Sequence, residues 1–254
     1  KVQAIIGIKR YGRTLIAHMD ALGLIDERFT AAHAIWLDDD DLKIVRDRGG
    51  ALAHNPGSNM RLGNGMFRFR TARDLGVTVG IGTDGANCSD NQNMYEAMRY
   101  ASMLSKVQTP DPRAWASVEE VYHAATEGSA RALGFAEIGA IAPGKKADIV
   151  FLDLASVNWI PHNWSVNQLV HTEDGTSVRH VMIGGRFVVK DGRLLTLDLA
   201  KLAAEAEAAR ERLEALNAEW RDLYQRLEPV VASFCPALAA QPYHLRRYLC
   251  DAPG

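Results

Sequence analysis

Cysteine is scarce in this chain: Cys88, Cys235 and Cys250 are the only three among 254 residues. An odd, widely spaced set supplies neither a disulfide framework nor paired thiolates for a metal, so a reducing, cytoplasmic setting is expected. Net charge is scarce too. Lys and Arg number 29 against 31 Asp and Glu, a formal charge of −2, which leaves no electrostatic footprint for nucleic acid or an anionic membrane. The sequence shows no signal-peptide pattern, no apolar run long enough to span a bilayer and no solenoid-period repeat. It opens on Lys1 rather than methionine, which leaves room for sequence upstream. What remains is 47% hydrophobic, a globular composition with length for one large domain or two smaller ones.

Three segments follow from the patterning. Residues 1–138 alternate helical and extended signals. "GRTLIAHMDALGLI" reads as a helix with Leu15, Met19 and Leu22 on one face, and "FTAAHAIWL" as a buried strand. "DDDDLKIVRDRGG" offers an N-cap, an acidic first turn and a glycine stop. The cycle then repeats through strand "ALAHN", polar loop "PGSNMRLGNG", helix "RFRTARDLG", strand "VTVGIGTD" and helix "NMYEAMRYASMLSKV". That order is the grammar of a parallel α/β sheet. Residues 139–196 are β-rich, with hairpin turns expected at Gly184-Gly185 and Asp191-Gly192. Residues 197–254 hold a long polar helix and a tail. Leu213, Leu216, Trp220, Leu223 and Leu227 recur at helical spacing, a packing stripe or a short coiled-coil contact with another subunit. The tail beyond Pro229 carries no assignable role.

Three polar side chains end three successive strands: His33 in "AAHAIWL", His54 in "ALAHNP" and Asp84 in "GIGTDG". Strand C-termini form the active-site face of parallel α/β folds. Taken singly, His33 reads as well as a hydrogen-bonded core histidine, His54 as loop chemistry, and Asp84 as a turn residue. Together, two imidazoles and a carboxylate on one face can bind a divalent metal or position an attacking water. The glycines flanking Asp84 would let the backbone turn away beside it. "PGSNMRLGNG" suits either substrate contact or an ordinary exposed connection.

"HNPGSNMRLGNG" followed by "GIGTDGANCSDNQNMYEAMRYASML" resembles the amidohydrolase superfamily, in the branch of the S-adenosylhomocysteine and methylthioadenosine deaminases and the triazine chlorohydrolases. "GAIAPGKKADIVFLDL" resembles the entry into that superfamily's small β-sandwich domain. The resemblance, running from about Lys1 to Leu195, implies an α/β fold: the C-terminal part of a distorted (β/α)8 TIM-like barrel over residues 1–138, part of a composite β-sandwich over 139–196, and a C-terminal helix and tail over 197–254. It implies one divalent metal, zinc foremost and iron second, a small heterocyclic substrate and a homo-oligomer. It makes Asp84 the metal-holding carboxylate that takes the proton of the nucleophilic water, and His33 the histidine that contacts water or substrate. His54 would face the substrate pocket. Trp36, near the same mouth, would stack on a heterocycle or pack in the core.

The family's His-x-His pair, its further metal-binding histidine and the glutamate three residues after it have no counterpart among the remaining histidines, His18, His123, His162, His171, His180 and His244. Segments like "KVQAIIGIKRYGR" follow that glutamate closely in relatives, so the chain is expected to be the C-terminal portion of a longer hydrolase, inactive alone. Hydrolytic deamination of a purine-, pterin- or triazine-like ring is the expected reaction. Hydrolytic dechlorination and a metal-free assembly module are the alternatives. "ANCSDNQN" departs from the "AASNN" of the adenosyl-compound deaminases and leaves the substrate open.

Overall fold

The computed structural model describes residues 1–248; Cys250 and the end of the tail lie outside the described residues. Helices Val2–Tyr11 (α1) and Leu15–Ala21 (α2) lead into strand Thr30–Ala32 (β1). Asp39–Asp47 (α3) connects it to Ala51–His54 (β2), and Pro56–Arg61 (α4) with Phe69–Asp74 (α5) connects β2 to Thr78–Ile81 (β3). The strands pair in that order, all parallel, with Ala31 beside Leu52 and Leu52 beside Val79. Leu52, Val79 and Ile81 meet Phe69, Ala72 and Val121 in the core. The acidic stretch before α3 caps it as expected. Asp38 accepts from the Asp41 N–H at 2.9 Å, and Asp41 reaches back to the Asp38 N–H.

Three local expectations change. Only Thr30–Ala32 of "FTAAHAIWL" pairs as a strand, because His33 and Ala34 take φ of +66° and +50° and turn the chain off the sheet. β1 is also partly exposed; the buried strands are β2 and β3. The segment "PGSNMR" is helical rather than a loop, since Pro56 at its first turn has no N–H to leave unsatisfied and a φ already suited to a helix. On α2 the buried residue is Ile16, while Leu22 lies past the helix end and is exposed.

Helices Ala86–Ser89 (α6) and Met94–Lys106 (α7) follow β3, then Val118–His123 (α8), a π-turn at Ala124–Gly128 and Ser129–Ala132 (α9). The π-turn lies directly against β3. A Cβ on Gly128 would collide with the Val79 carbonyl oxygen, so only glycine lets the backbones meet. Ser129 Oγ then bonds both the N–H and the carbonyl of Ile81, at 3.1 and 3.0 Å.

A second sheet is antiparallel: Ile149–Leu152 (β4), Val178–Ile183 (β5), Arg186–Lys190 (β6) and Arg193–Leu194 (β7), paired in chain order. Its tight turns fall at Gly184-Gly185 and Asp191-Gly192, all four residues at positive φ. Ser165–His171 (α10) packs on α7 and α8. The long helix is two, Leu199–Leu216 (α11) and Ala218–Ala239 (α12), joined at Asn217. α12 runs through Pro229 and Pro236 rather than stopping near them. Leu216 and Trp220 are 73% and 64% exposed and Leu213 and Leu227 are exposed too, so among the described residues most of the leucine stripe is left uncovered, Leu223 alone being partly buried. No helix among the described residues is long and apolar enough to cross a membrane.

Candidate active site

β1 and β3 flank β2, and each sends one polar side chain from its C-terminal end. The sheet ladder continues one residue past each strand, through His33 N–H to the Ala53 carbonyl at 2.8 Å and Gly82 N–H to the His54 carbonyl at 2.9 Å. His33 and Asp84 then both adopt left-handed φ, +66° and +64°. L-residues pay roughly 1–2 kcal/mol for that region, least for residues such as His and Asp. Asp84 itself makes the turn that its glycine neighbours were expected to make. Gly82 serves close approach instead: a Cβ there would lie 2.5 Å from Asn55 Oδ1.

The two strained residues converge. His33 Nε2 and Asp84 Oδ2 stand 3.7 Å apart, both partly exposed. α4 fixes them from below through Ser58 and Asn59, buried residues that the loop reading of this segment concealed. Ser58 Oγ donates to Asp84 Oδ2 at 2.7 Å, and Asn59 Oδ1 lies 2.8 Å from His33 Nδ1. An acceptor at Nδ1 places a His33 proton there and leaves Nε2 directed toward Asp84. The Gly85 N–H holds the other Asp84 oxygen at 2.7 Å. Ser58 first, and then the Gly85 amide, keep this carboxyl below its ordinary pKa. The signal in the sequence was a pair of polar residues beside a proline that can start a helix.

His54 does not join the pair. It is 2% exposed and packed on Phe67, with ring centroids 4.8 Å apart, and burial and then the nearby His33 push its pKa down to about 3. It is a neutral imidazole whose Nδ1 has no hydrogen-bond partner. Trp36 lies on the other side of His33, where both line a cavity of about 480 Å³. Its indole N–H donates to the Asn64 carbonyl at 2.9 Å.

A gap of 3.7 Å between an imidazole nitrogen lone pair and an anchored carboxylate suits two donors each about 2.1 Å from one divalent ion. The donor chemistry therefore fits zinc as part of a site. Among the described residues no group of three or more His, Cys, Asp or Glu is placed to hold a metal.

The amidohydrolase family matches residues 3–188. The chain belongs to the amidohydrolase family. Relatives of this amidohydrolase include a 5-methylthioadenosine/S-adenosylhomocysteine deaminase of Pelotomaculum thermopropionicum, 37% identical over 80% of this chain and 47% of that enzyme. Another is a 5'-deoxyadenosine deaminase of Methanopyrus kandleri, 34% identical over 81% of this chain and 47% of that enzyme. Among solved structures, a zinc-bound adenosine deaminase from Xanthomonas campestris superposes with a TM-score of 0.80 at 31% identity, covering 84% of this chain and 48% of that one. The zinc complex of an atrazine chlorohydrolase from Arthrobacter aurescens TC1 gives 0.77 at 28% identity, over 82% and 46%. The amidohydrolase chain thus spans about half the length of the curated relatives it matches.

Proposed function

We propose that this chain carries part of the active site of a metal-dependent hydrolase that removes an amino group, as ammonia, from an aminated heterocycle of purine, pterin or triazine type. The observation that carries the reading is the meeting of His33 and Asp84 at left-handed strand ends, each pinned by a buried side chain of one short helix. Relatives named as deaminases support the reaction class. In this reading residues 1–138 are the C-terminal part of a distorted (β/α)8 barrel and 139–196 part of a small β-sandwich. Zinc is the metal, with iron as the second choice, and the site takes donors besides these two.

Asp84 and His33 divide the work. A bound divalent ion would lower the pKa of an adjacent water to about 7. Asp84, held ionised by Ser58 and Gly85, would take part in holding such an ion and would accept the water's proton on its carboxylate. His33 would offer Nε2 to the water or a substrate N–H, or to that ion alongside Asp84, and Asn59 keeps the ring from turning. The oxygen attacks the ring carbon that bears the amino group, and the carbon–nitrogen bond breaks as the proton passes to the departing nitrogen. His54, neutral and buried, supports the floor beneath His33, and Trp36 offers a ring face at the cavity.

Ammonia release from adenosine, by zinc-supplemented protein joined to the part of its relatives' length that this chain does not span, tests the reading. Release that is abolished by Asp84→Asn is expected, and release unchanged by that substitution would refute it. Dechlorination is the second reading, supported by the likeness to atrazine chlorohydrolase. Chloride rather than ammonia from a chlorinated aminotriazine would favour it.

A further inference from the structure

The chain beyond α12 returns to the end of β1. From Gln241 to Arg247 odd-numbered residues turn inward and even-numbered ones outward, the alternation of an extended segment. Arg247, 6% exposed, is the anchor. Its Nε donates to the Ile35 carbonyl at 2.6 Å and its Nη2 to the Leu37 carbonyl at 3.0 Å, while its own carbonyl accepts from the Met66 N–H at 2.8 Å. Gly65, at φ +103°, passes so close that a Cβ would come within 3.0 Å of the Arg247 carbonyl oxygen. One residue thereby ties the turn after β1 to the turn after α4. Those turns carry Trp36 and its partner Asn64.

Two tyrosines of the segment complete an aromatic wall. The Tyr243 and Tyr248 rings stand 5.9 and 5.6 Å from Trp36 between centroids, at interplanar angles of 73° and 55°. Tyr248 is held in place by its hydroxyl, which donates to the Gly63 carbonyl at 3.1 Å. The three rings and His33 line the same cavity, whose volume suits a small heteroaromatic molecule. The Lys1 ammonium stands 5.9 Å from the Trp36 ring centroid and lines the same cavity. The segment lies beyond the residues that the family covers.

We propose that Tyr243–Tyr248 is a wall of the substrate pocket, in which Tyr243 and Tyr248 join Trp36 to select a flat heteroaromatic ring and Arg247 is the positioning residue that holds them. The inference rests on the deaminase reading and adds a specificity surface that the family match does not contain.

Calorimetric titration of the 254-residue chain with adenine, and with the saturated amine cyclohexylamine, tests it. The wild type is expected to prefer adenine. Replacing both tyrosines (Tyr243→Leu, Tyr248→Leu) is expected to weaken adenine about tenfold, as the loss of two aromatic contacts implies, and to leave cyclohexylamine unchanged. Arg247→Ala is expected to lose the same preference. Arg247→Lys restores it only partly, because an ammonium cannot span two carbonyls as the guanidinium fork does. A purely structural role would weaken both ligands alike. Should Arg247→Ala unfold, the tyrosine pair decides, since Tyr248 is an exposed residue. Unchanged adenine affinity in the tyrosine variant, or a wild type without preference for adenine, overturns the inference. Ammonia release with unaltered selectivity removes this inference alone, whereas adenine selection without ammonia release by protein of the relatives' full length removes the deaminase reading alone.

Discussion

Ser58 shows how much of the site depends on residues that touch no substrate. Its hydroxyl is buried and spent on Asp84, so Ser58→Ala leaves a carboxylate oxygen short of a donor at a cost of about 1–3 kcal/mol. The Asp84 carboxyl, depressed chiefly by that bond, should titrate at higher pH in the variant, as followed by its carboxyl carbon resonance; an unchanged titration would mean that Ser58 does not set it. Asp41 is a separate test of burial. Removal from water pushes its pKa up to about 6, the nearby Asp38 adds to this, and the Thr14 hydroxyl at 2.5 Å opposes it. The folded chain keeps the Asp41 proton over a range where the unfolded chain has released it. Its stabilising contribution is therefore full below the ordinary value of 3.8 and lost as pH rises through about 6. Asp41→Asn should flatten the stability–pH curve in that window by ~1–2 kcal/mol, measured by urea unfolding. A curve parallel to that of the wild type would contradict it. At this scale His33 and Asp84 were legible because strand-end polar residues stand out against apolar runs. Ser58 and Asn59 were not, because their partners are distant in sequence.

Elements were read more securely where local chemistry alone decides them. The acidic cap of α3 and the two glycine turns of the second sheet needed nothing from elsewhere in the chain. β1 proved shorter than its apolar run, because its length is set by the left-handed turn at His33, and α4 hid behind glycine and asparagine. The contact of the π-turn with β3 was also invisible, since Gly128 meets Val79 only in three dimensions. Gly128→Ala forces two backbones apart beneath the strand that ends at Asp84. A loss of ~3 kcal/mol or more is expected, read as a fall in thermal midpoint; a change within ~0.5 kcal/mol would show that the contact yields freely. The exposed stripe of α11 and α12 predicts the opposite behaviour. Leu216→Gln and Trp220→Gln should each alter the stability of the isolated chain by no more than ~0.5 kcal/mol. A larger loss would mean that the stripe is packed.

Across the whole molecule, the parallel sheet positions two donors, the antiparallel sheet is separate from it, and the last segment folds back over the mouth between β1 and α4. Glu173 links the two sheets' surroundings: its buried carboxylate accepts from the Trp159 indole at 2.6 Å, and its backbone carbonyl from Arg99 of α7 at 2.6 Å. The fold-back of residues 241–248 was not readable, because its anchor is an arginine among backbone carbonyls more than two hundred positions away. The central claim, however, concerns the pair at 3.7 Å. Zinc binding to the 254-residue chain, by calorimetry with metal content checked by mass spectrometry, tests it most directly. The account predicts binding that Asp84→Asn abolishes and His33→Gln weakens. Zinc binding by Asp84→Asn equal to that of the wild type would contradict it.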